Sequence, residues 1–334
     1  MNVLIIGAAG MIGRKLTEAI LRDGGLAGRK LAALHLADVV APAAPDAPGI
    51  AVRAEAADLA APGTAARLVA GKPDVIFHLA AIVSGQAEMD LDLGLAINLD
   101  GTRALLDAIR AHGAGYCPRV VFTSSIAVFG APFPEVIPDD FAPSPRTSYG
   151  AQKLVVEILV SDFSRRGLLD GISLRLPTIC IRPGTPNAAA SGFFSGILRE
   201  PLQGLPAVLP VERDVRHWFA SPRSAVGFLL HAAAMDTGPL GHRRALNLPG
   251  VTATVGDQIA ALERVAGRRA VELIRPQHDP MVAEIVAGWP RAFAPERALA
   301  LGFTAERDFD EIISAHVEDE LGGRIPVLEG AGGA

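Results

Sequence analysis

Short, continuous apolar runs recur through the first half of the chain. Such runs are typical of strands with both faces buried, because a half-exposed strand alternates apolar and polar residues. They predict strands at residues 2–7, 31–38, 75–80, 119–125 and 171–176. Segments in which apolar residues recur with helical spacing lie between these strands, at 11–23, 62–70, 98–112 and 149–166. This alternation predicts an α/β fold with a doubly wound parallel sheet.

The pattern changes after residue 177, where proline and glycine become frequent. We therefore expect a first domain at 1–176 and a second, smaller α/β region at 177–328. A helix near 222–235 is apolar enough that it should pack back on the first domain. The terminal segment 329–334 consists mainly of glycine and alanine, and we expect it to be disordered.

Composition and charge narrow the possible partners. The chain has 334 residues, a net charge of −5 and a pI near 5.9. Because no basic face is indicated, nucleic acid is not an expected partner. The N-terminus has no basic leader, and no apolar run approaches the roughly 20 residues that span a bilayer. We therefore expect a cytoplasmic protein that does not act at a membrane.

The two cysteines, Cys117 and Cys180, have no cysteine or histidine at metal-ligand spacing. We expect both to be unpaired thiols in a reducing compartment, and we expect no metal site.

A glycine-rich turn follows the first strand. The sequence GAAGMIG places Gly7, Gly10 and Gly13 between that strand and the first helix. Such a turn allows the backbone to approach a pyrophosphate closely, and the first helical residues, Met11 and Ile12, offer it unpaired N–H groups at the positive end of the helix dipole. The spacing therefore predicts a dinucleotide site.

Two aspartates extend this prediction. Asp38 ends the second predicted strand, where a carboxylate can accept both adenosine ribose hydroxyls; the alternative is a solvated strand end. Because the residues after Asp38 contain no arginine to neutralise a 2′-phosphate, the sequence favours NAD over NADP. Asp58 is expected either to meet the adenine amino group or to serve as a helix N-cap.

The segment TSYGAQKLVVEIL places Tyr149 and Lys153 one turn apart on one helix face. A dehydrogenase needs a base that removes a hydroxyl proton, and free tyrosine titrates near 10, so lowering its pKa by about three units requires about 4 kcal/mol of phenolate stabilisation. A neighbouring lysine supplies positive charge, and Ser125 at a strand end can orient the substrate oxygen. The alternative is a core tyrosine beside a surface lysine with a buried stem.

Further motifs accompany these residues in a fixed order: HLAA at 78–81, NLDGT at 98–102, TSS at 123–125 and YGAQK at 149–153. Together they resemble the extended short-chain dehydrogenase/reductase family of NAD-dependent epimerases and dehydratases. The resemblance implies a Rossmann domain with Ser125, Tyr149 and Lys153 as catalytic residues. Beyond the residues named above, it implies cofactor contacts from Leu59, Leu79, Ala80, Ala81, Asn98 and Pro177.

The same resemblance bears on Asn98 and on assembly. Asn98 matches a family asparagine that relays protons through water, although a plain helix N-cap is the alternative. The run LVVEILV within 149–166 is apolar on nearly every side. Together with the helix at 98–112 it suggests a homodimer through paired helices, as is common in the family.

Departures from the family patterns narrow the reaction. Dehydratases carry an Asp-Glu pair after the active-site hydroxyl, whereas Ile126 and Ala127 follow Ser125 here. Nucleotide-sugar epimerases carry Arg-x-x-Asn after the next strand, whereas Thr178 stands at the asparagine position. The family's phosphate-clamping arginine has a counterpart in Arg216, and a guanidinium can grip a carboxylate as well as a diphosphate.

Residues 176–204, 214–232 and 301–323 are similar to a subgroup that oxidises the C2 hydroxyl of small sugar acids with NAD. This similarity implies that Tyr149 removes the C2 hydroxyl proton and that the substrate contacts come from Ser84, Ser125, Thr178, Asn187, Ser191 and Arg216. The substrate-side residues outside the catalytic set have a surface-loop alternative. Two other functions stay open: a nucleotide-sugar 4-epimerase with held NAD, and a non-catalytic NAD-sensing regulator, which retention of Ser125, Tyr149 and Lys153 disfavours.

Overall fold

The computed structural model describes residues 1–184 and 190–329. Its strands are β1 Asn2–Ile6, β2 Gly25–Leu26, β3 Arg29–Lys30, β4 Ala33–Asp38, β5 Ala51–Ala56, β6 Val75–His78, β7 Arg119–Ser125, β8 Ile137–Pro138, β9 Asp170–Leu176, β10 Thr178–Ile179, β11 Ala207–Leu209, β12 Arg216–Ala220, β13 Ala245–Asn247, β14 Val251–Thr254, β15 Ile274–Pro276 and β16 Phe293–Ala294.

Its α-helices are α1 Met11–Asp23, α2 Thr64–Val69, α3 Ser84–Met89, α4 Leu91–Gly94, α5 Thr102–Ala111, α6 Ser148–Arg165, α7 Gly192–Leu202, α8 Pro222–Ala234, α9 Val255–Val271, α10 Pro280–Ala287, α11 Glu296–Ala300, α12 Phe309–Leu321 and α13 Pro326–Glu329. A π-helical segment, Leu95–Gly101, precedes α5, and short 3₁₀ turns lie at Ile126–Val128 and Gly238–Leu240.

The central sheet has seven strands in the order β13-β9-β7-β6-β1-β4-β5, and all of its pairs are parallel. The chain builds outward from β1 to β4 and β5, then returns to β6 and builds in the opposite direction. The strand order therefore reverses between β1 and β6, and in sheets of this kind ligands bind at the carboxyl ends of the strands beside such a reversal. The predicted Rossmann architecture is confirmed.

Two edge strands of this sheet were not predicted from the sequence. The first is β5, which pairs with β4 and has few buried positions because it lies at an edge. The second is β13, which has three residues and pairs with β9. Both lack the continuous apolar run that identifies the inner strands.

The described residues divide into two compact units. The first unit comprises Met1–Val128, Pro143–Leu176 and Val226–Leu248, and the second comprises the remaining described residues. The division assigns two segments across the boundary expected at residue 176, and one of them contains most of the helix expected to pack back on the first domain. Residues 129–142 belong to the second unit because β8 pairs with β16. Residues 226–248 belong to the first because they include most of α8 and the edge strand β13.

Each unit has its own apolar core. In the first unit, Leu4, Ile76 and Phe122 from the sheet pack with Leu105 of α5 and Val156 of α6. In the second unit, Phe219 of β12 and Ala253 of β14 pack with Phe194 of α7, Ile259 of α9 and Ile312 of α12. Strands β10, β12 and β14 form a three-stranded sheet in this unit. Each core therefore fixes the elements of its own unit.

The structure also describes the cysteines, the length of the helices, the potential metal ligands and the start of the C-terminal segment. Cys117 and Cys180 are free thiols, and burial raises the pKa of Cys180 to about 12. Across residues 1–184 and 190–329, no helix is both long and apolar enough to cross a bilayer. Within the same ranges, no cluster of histidine, cysteine, aspartate or glutamate side chains is arranged to hold a metal ion. The tail at 329–334 was expected to be disordered. Its first residue, Glu329, ends α13, and residues 330–334 lie outside the described ranges.

Candidate active site

The glycine-rich turn joins β1 to α1 in a space that excludes side chains. Gly7 has a φ of 95°, and a Cβ there would lie 2.6 Å from the Ala80 nitrogen. A Cβ on Gly13 would lie 2.2 Å from the Gly7 carbonyl oxygen. The two glycines thus allow the turn to press against both the end of β6 and the start of α1.

The start of α1 is open to an anion. Its N-cap is Gly10, and no side chain caps the first turn, which contains Met11 and Ile12. The first N–H groups of a helix have no partner within the helix and carry its positive dipole end. This turn therefore fits a dinucleotide pyrophosphate, as the sequence predicts.

Asp38 lies against this turn. Its Oδ2 accepts a hydrogen bond of 2.9 Å from the Ala9 N–H, and its Oδ1 accepts one of 2.7 Å from the Val39 N–H. The carboxylate is thereby fixed at the carboxyl end of β4 with acceptor lone pairs remaining. A residue not singled out from the sequence, Arg14, donates to the Ala9 carbonyl at 3.1 Å. Ala9 therefore bonds to Asp38 through its N–H and to Arg14 through its carbonyl oxygen.

Asp58 is exposed, and its Oδ1 accepts from the Ala60 N–H at 2.9 Å. The helix N-cap alternative for Asp58 is wrong, because α2 begins at Thr64 and its N-cap is Gly63. Leu59 is buried in the core of the first unit. Only Asp58 of this pair is open to solvent.

The end of β6 continues the sheet into the same region. The Leu79 and Ala80 N–H groups both donate to the Ile6 carbonyl, at 2.8 and 3.0 Å. The chain at Leu79, Ala80 and Ala81 is therefore held beside the glycine turn. Just upstream, His78 is buried and its Nε2 lies 2.7 Å from the Thr102 hydroxyl, so this histidine is a hydrogen-bonding strand end.

Asn98 lies in the π-helical segment and is buried. Its Oδ1 accepts from the Ile82 N–H at 3.0 Å, and its Nδ2 donates to Gln152 Oε1 at 2.8 Å. The N-cap alternative is wrong, because the N-cap of α5 is Gly101. With its amide committed to Ile82 and Gln152, Asn98 braces the loop after β6 against α6, and π-helical turns of this kind are frequent at functional sites.

Ser124 and Ser125 end β7 with different partners. Ser124 is buried, and its hydroxyl donates to Glu157 at 2.5 Å. Ser125 is less buried, and its Oγ accepts from the Ala127 N–H at 3.1 Å. The geometry favours Ser125 as the substrate-facing serine, because the Ser124 hydroxyl proton is already used.

The first turn of α6 packs on the turn that follows Ser125. Thr147 is the N-cap, and its hydroxyl oxygen accepts from the Gly150 N–H at 3.1 Å. A Cβ on Gly150 would lie 2.1 Å from the Ala127 carbonyl oxygen. Only glycine permits this approach, so the residue after Tyr149 holds the helix start close to the end of β7.

Lys153 lies inside the fold. Its side chain is 2% exposed, and its Nζ donates to the Thr123 carbonyl at 2.8 Å. The same nitrogen lies 4.7 Å from the centroid of the Phe122 ring and 5.6 Å from that of the Tyr149 ring. Burial lowers the pKa of Lys153 to about 7, although the charge of Glu157 acts in the opposite direction.

Glu157 lies one further turn along α6 and is part of a buried ion pair. Arg175 of β9 donates to it through Nη2 at 2.7 Å and through Nε at 3.0 Å. Arg175 also donates to Asn247 of β13 at 3.2 Å. Tyr149, Lys153 and Glu157 thus form a polar row at four-residue spacing, and the ion pair ties this row to the sheet.

The remaining predicted site residues divide between the units. Ser84 is the first residue of α3 in the first unit, and Pro177, Thr178, Ser191 and Arg216 lie in the second. Asn187 lies outside the described residues.

Thr178 and Ser191 are hydrogen-bonded within the second unit, and Arg216 lies near an acidic side chain. The Thr178 hydroxyl lies 2.6 Å from His217 Nε2, and the Ser191 hydroxyl accepts from Arg182 at 2.5 Å. Arg216 is exposed at the start of β12. The pKa of Asp257 lies below its usual range, first because Thr254 donates to it and also because of the nearby Arg216 charge.

Comparison with known proteins decides the family. The model of the NAD dependent epimerase/dehydratase family matches residues 3–240. The chain belongs to this family. It is 48% identical to the D-erythronate dehydrogenase of Cupriavidus necator over 96% of this chain and 98% of that protein. It is 40% identical to the D-erythronate dehydrogenase of Haemophilus influenzae over 96% of this chain and 100% of that protein.

A crystal structure described as a nucleoside-diphosphate-sugar epimerase from Agrobacterium tumefaciens is 61% identical to the chain. It superposes with a TM-score of 0.96 and covers 97% of this chain and 96% of that one. The predicted family and fold class are therefore confirmed, and family membership makes the chain an NAD(H)-dependent enzyme. The glycine turn, the uncapped start of α1 and Asp38 fit this cofactor.

Several residues of the site were not singled out from the sequence: Arg14, Gln152, Glu157, Arg175 and His217. Glu157 alone had a local signal, because it follows Lys153 by one helical turn within an apolar run. Arg14 bonds to Ala9, five residues away, but nothing in the local sequence marks that contact. Gln152, Arg175 and His217 depend on partners that are distant in the chain.

Proposed function

We propose that the protein oxidises the C2 hydroxyl of D-erythronate to the ketone 2-dehydro-D-erythronate, with NAD as the oxidant. The observation that carries this proposal is the Tyr149 ring beside the buried Lys153 amine in the helix that packs against the end of β7. Two relatives named D-erythronate dehydrogenase, similar over nearly their full lengths, support this choice of substrate.

In this proposal the first unit supplies the contacts to the pyrophosphate and to the adenosine ribose of the cofactor. The uncapped first turn of α1 binds the pyrophosphate, and Asp38 accepts from the adenosine ribose hydroxyls. A carboxylate at this position repels a 2′-phosphate, and this supports NAD rather than NADP. When bound, NAD accepts the hydride.

Tyr149 and Lys153, the first two residues of the polar row of α6, carry out the proton transfer in this proposal. Tyr149 takes the proton of the C2 hydroxyl, and Ser125 orients that hydroxyl. The Lys153 ammonium stabilises the phenolate while Thr123 holds its nitrogen in place. Lys153 also retains donors for the nicotinamide ribose, because its bond to the Thr123 carbonyl uses only one of three.

Arg216 is proposed to bind the substrate carboxylate. It is exposed, and a guanidinium binds a carboxylate through two parallel hydrogen bonds. Replacing it by Arg216→Gln should raise KM for the acid by about 10-fold or more and change kcat less. Arg213→Gln is a matched control, since Arg213 is also exposed and lies three residues away. An unchanged KM in Arg216→Gln would contradict this role.

The exposed face of α6 supports a homodimer. Ile158 is 61% exposed and Val155 is 40% exposed, which is unusual for apolar residues on one helix face. We propose that a second copy of the chain covers them. Light scattering should give a dimer mass for the wild type and a monomer mass for Ile158→Lys. A monomeric wild type at micromolar concentration would overturn this proposal.

The function is tested by NADH absorbance, using purified protein, NAD and a panel of four- to six-carbon sugar acids. D-erythronate should give rapid NADH formation. Absence of NADH with every acid would overturn the proposal. The second candidate function is a nucleotide-sugar epimerase. It is supported by the similarity to the Agrobacterium protein called a nucleoside-diphosphate-sugar epimerase. It predicts an epimerised UDP-sugar with no net NADH.

A further inference from the structure

Thr178 and His217 form a hydrogen-bonded pair in the second unit. Thr178 lies on β10 and His217 on β12, and these strands run parallel, with Thr178 opposite Phe219. The Thr178 hydroxyl oxygen lies 2.6 Å from His217 Nε2. Thr178 is half-buried, whereas His217 is 2% exposed. The pair therefore has one end in the core and one end open.

The other ring nitrogen of His217 fixes the direction of this hydrogen bond. His217 Nδ1 lies 2.9 Å from the Pro290 carbonyl oxygen, which can only accept. Nδ1 therefore carries the hydrogen, and in a neutral imidazole Nε2 is then the acceptor. Burial lowers the pKa of His217 to about 4, so the ring is neutral at physiological pH.

Aromatic packing prevents the ring from turning to another arrangement. Phe194 stacks on His217 with an interplanar angle of 3° and a centroid distance of 5.4 Å. Phe219 meets the ring edge-on at 5.3 Å, and Trp289 lies at the same centroid distance. The imidazole is thus held with Nε2 toward Thr178.

It follows that the Thr178 hydroxyl donates its hydrogen to His217 Nε2. A hydroxyl has a single donor hydrogen, so toward any other group Thr178 can only accept. It can bind a donor such as a hydroxyl group, and it cannot donate to a carboxylate. Thr178 follows Leu176 by two residues, and Leu176 pairs with Ser125 in the central sheet.

We propose that Thr178 recognises a hydroxyl group of the substrate as a dedicated hydrogen-bond acceptor, and that His217 is the positioning residue that sets this polarity. The proposal rests on the proposed function, because it assigns a specificity residue for the same polyhydroxy acid. It separates the contact for a hydroxyl group of the substrate from the contact for the carboxylate.

The test of Thr178 compares substrates that differ by one hydroxyl. With D-erythronate, Thr178→Val should lower kcat/KM by 10-fold or more, whereas Thr178→Ser should stay within about 3-fold of the wild type. One of the two analogues, 3-deoxy or 4-deoxy, lacks the hydroxyl that Thr178 binds. With that analogue the wild type should already be slow, and Thr178→Val should cause no further loss. Equal losses with D-erythronate and with both analogues would overturn the proposal.

The test of His217 uses variants that keep or remove the acceptor. His217→Phe keeps a ring against Phe194 but offers no acceptor, so it should lower kcat/KM for D-erythronate about as much as Thr178→Val. Adding Thr178→Val to His217→Phe should give less than a 2-fold further loss, because both changes remove one interaction. His217→Gln, which can still accept, should recover part of the activity.

Two outcomes separate this proposal from the function on which it rests. If the wild type and Thr178→Val oxidise D-erythronate equally well, the role of Thr178 is wrong but the proposed function is not. A wild type that oxidises no sugar acid overturns both.

The role of His217 has its own contradicting outcome. Multiplicative losses for the Thr178→Val and His217→Phe pair would overturn the positioning role of His217. If His217→Phe fails to fold, His217→Gln and Thr178→Val still decide the result.

Discussion

The side-chain nitrogen of Lys153 lies 5.6 Å from the centroid of the Tyr149 ring, one helical turn away. The same nitrogen is fixed by the Thr123 carbonyl of β7, so the helix and the sheet together hold the pair. A positive charge at this distance in a buried setting lowers the pKa of a phenol, because water screens it poorly. We propose that this relationship allows Tyr149 to act as the base.

Replacing the tyrosine tests this role. Tyr149→Phe removes the phenolate oxygen that is proposed to accept the proton, so kcat for D-erythronate should fall by about 10²- to 10⁴-fold with an unchanged melting temperature. Tyr116→Phe is a matched control, because Tyr116 is the other tyrosine of the sequence and its hydroxyl donates to the Pro73 carbonyl. Retention of most activity in Tyr149→Phe would show that another group removes the proton.

The carboxylate of Asp38 should set cofactor preference. Asp38→Asn keeps the shape of the side chain but removes the charge that is proposed to face the adenosine ribose, so KM for NAD should rise by about 10-fold or more. The ratio of kcat/KM for NADP to that for NAD should rise as well, because the repulsion of a 2′-phosphate is gone. Asp46→Asn makes the same charge change at an exposed position and should leave the ratio unchanged. An unaltered ratio in Asp38→Asn would remove Asp38 from the cofactor site.

The buried ion pair below Lys153 should contribute to stability. Glu157→Gln leaves the Arg175 guanidinium buried without its counter-charge, and breaking such a pair costs about 3–5 kcal/mol. Denaturant titration of the free energy of unfolding measures this loss. Asp162→Asn on the exposed face of the same helix should change the stability little, because water screens its contacts with Arg165 and Arg166. Equal effects of the two substitutions would argue against a role for burial.

Buried His78 should make the protein sensitive to acid. Burial, with a smaller effect of the Lys153 charge, lowers the pKa of His78 to about 3, against 6.5 in the unfolded chain. Since the folded pKa is depressed, this contribution to stability is complete above pH 6.5 and is lost as the pH falls toward 3. At pH 5 the loss is about 2 kcal/mol.

The non-titrating variant His78→Gln isolates this contribution. The difference in unfolding free energy between wild type and variant should be constant above pH 6.5. It should shift by about 2 kcal/mol in favour of the variant at pH 5. Parallel pH profiles of the two proteins down to pH 4 would contradict the buried, neutral state of His78.

Much of the fold was predictable because its signals are local. The inner strands of the sheet are continuous apolar runs, and the glycine turn and the Tyr149–Lys153 pair are short-range spacings. The edge strand β5 was missed because it lacks such a run. The helix predicted at 98–112 begins within a π-helical segment, in which Asn98 bonds to Gln152, 54 residues away in sequence.

The missed parts of the candidate site depend on long-range contacts. Glu157 looks like a single charge in an apolar helix, and its partner Arg175 lies on a strand 18 residues later. His217 gains its fixed tautomer from Pro290, which is 73 residues away. A single sequence gives the residue types at these positions but not the tertiary contacts that determine their chemistry.

In the proposed reaction, hydride leaves C2 of D-erythronate for NAD while Tyr149 takes the hydroxyl proton. Deuterium placed at C2 of the substrate can be followed by mass spectrometry of the reduced cofactor and the product. We expect one deuterium in the cofactor and none at C2 of the product. Deuterium retained in the sugar acid, or NADH formed without the label, would contradict it.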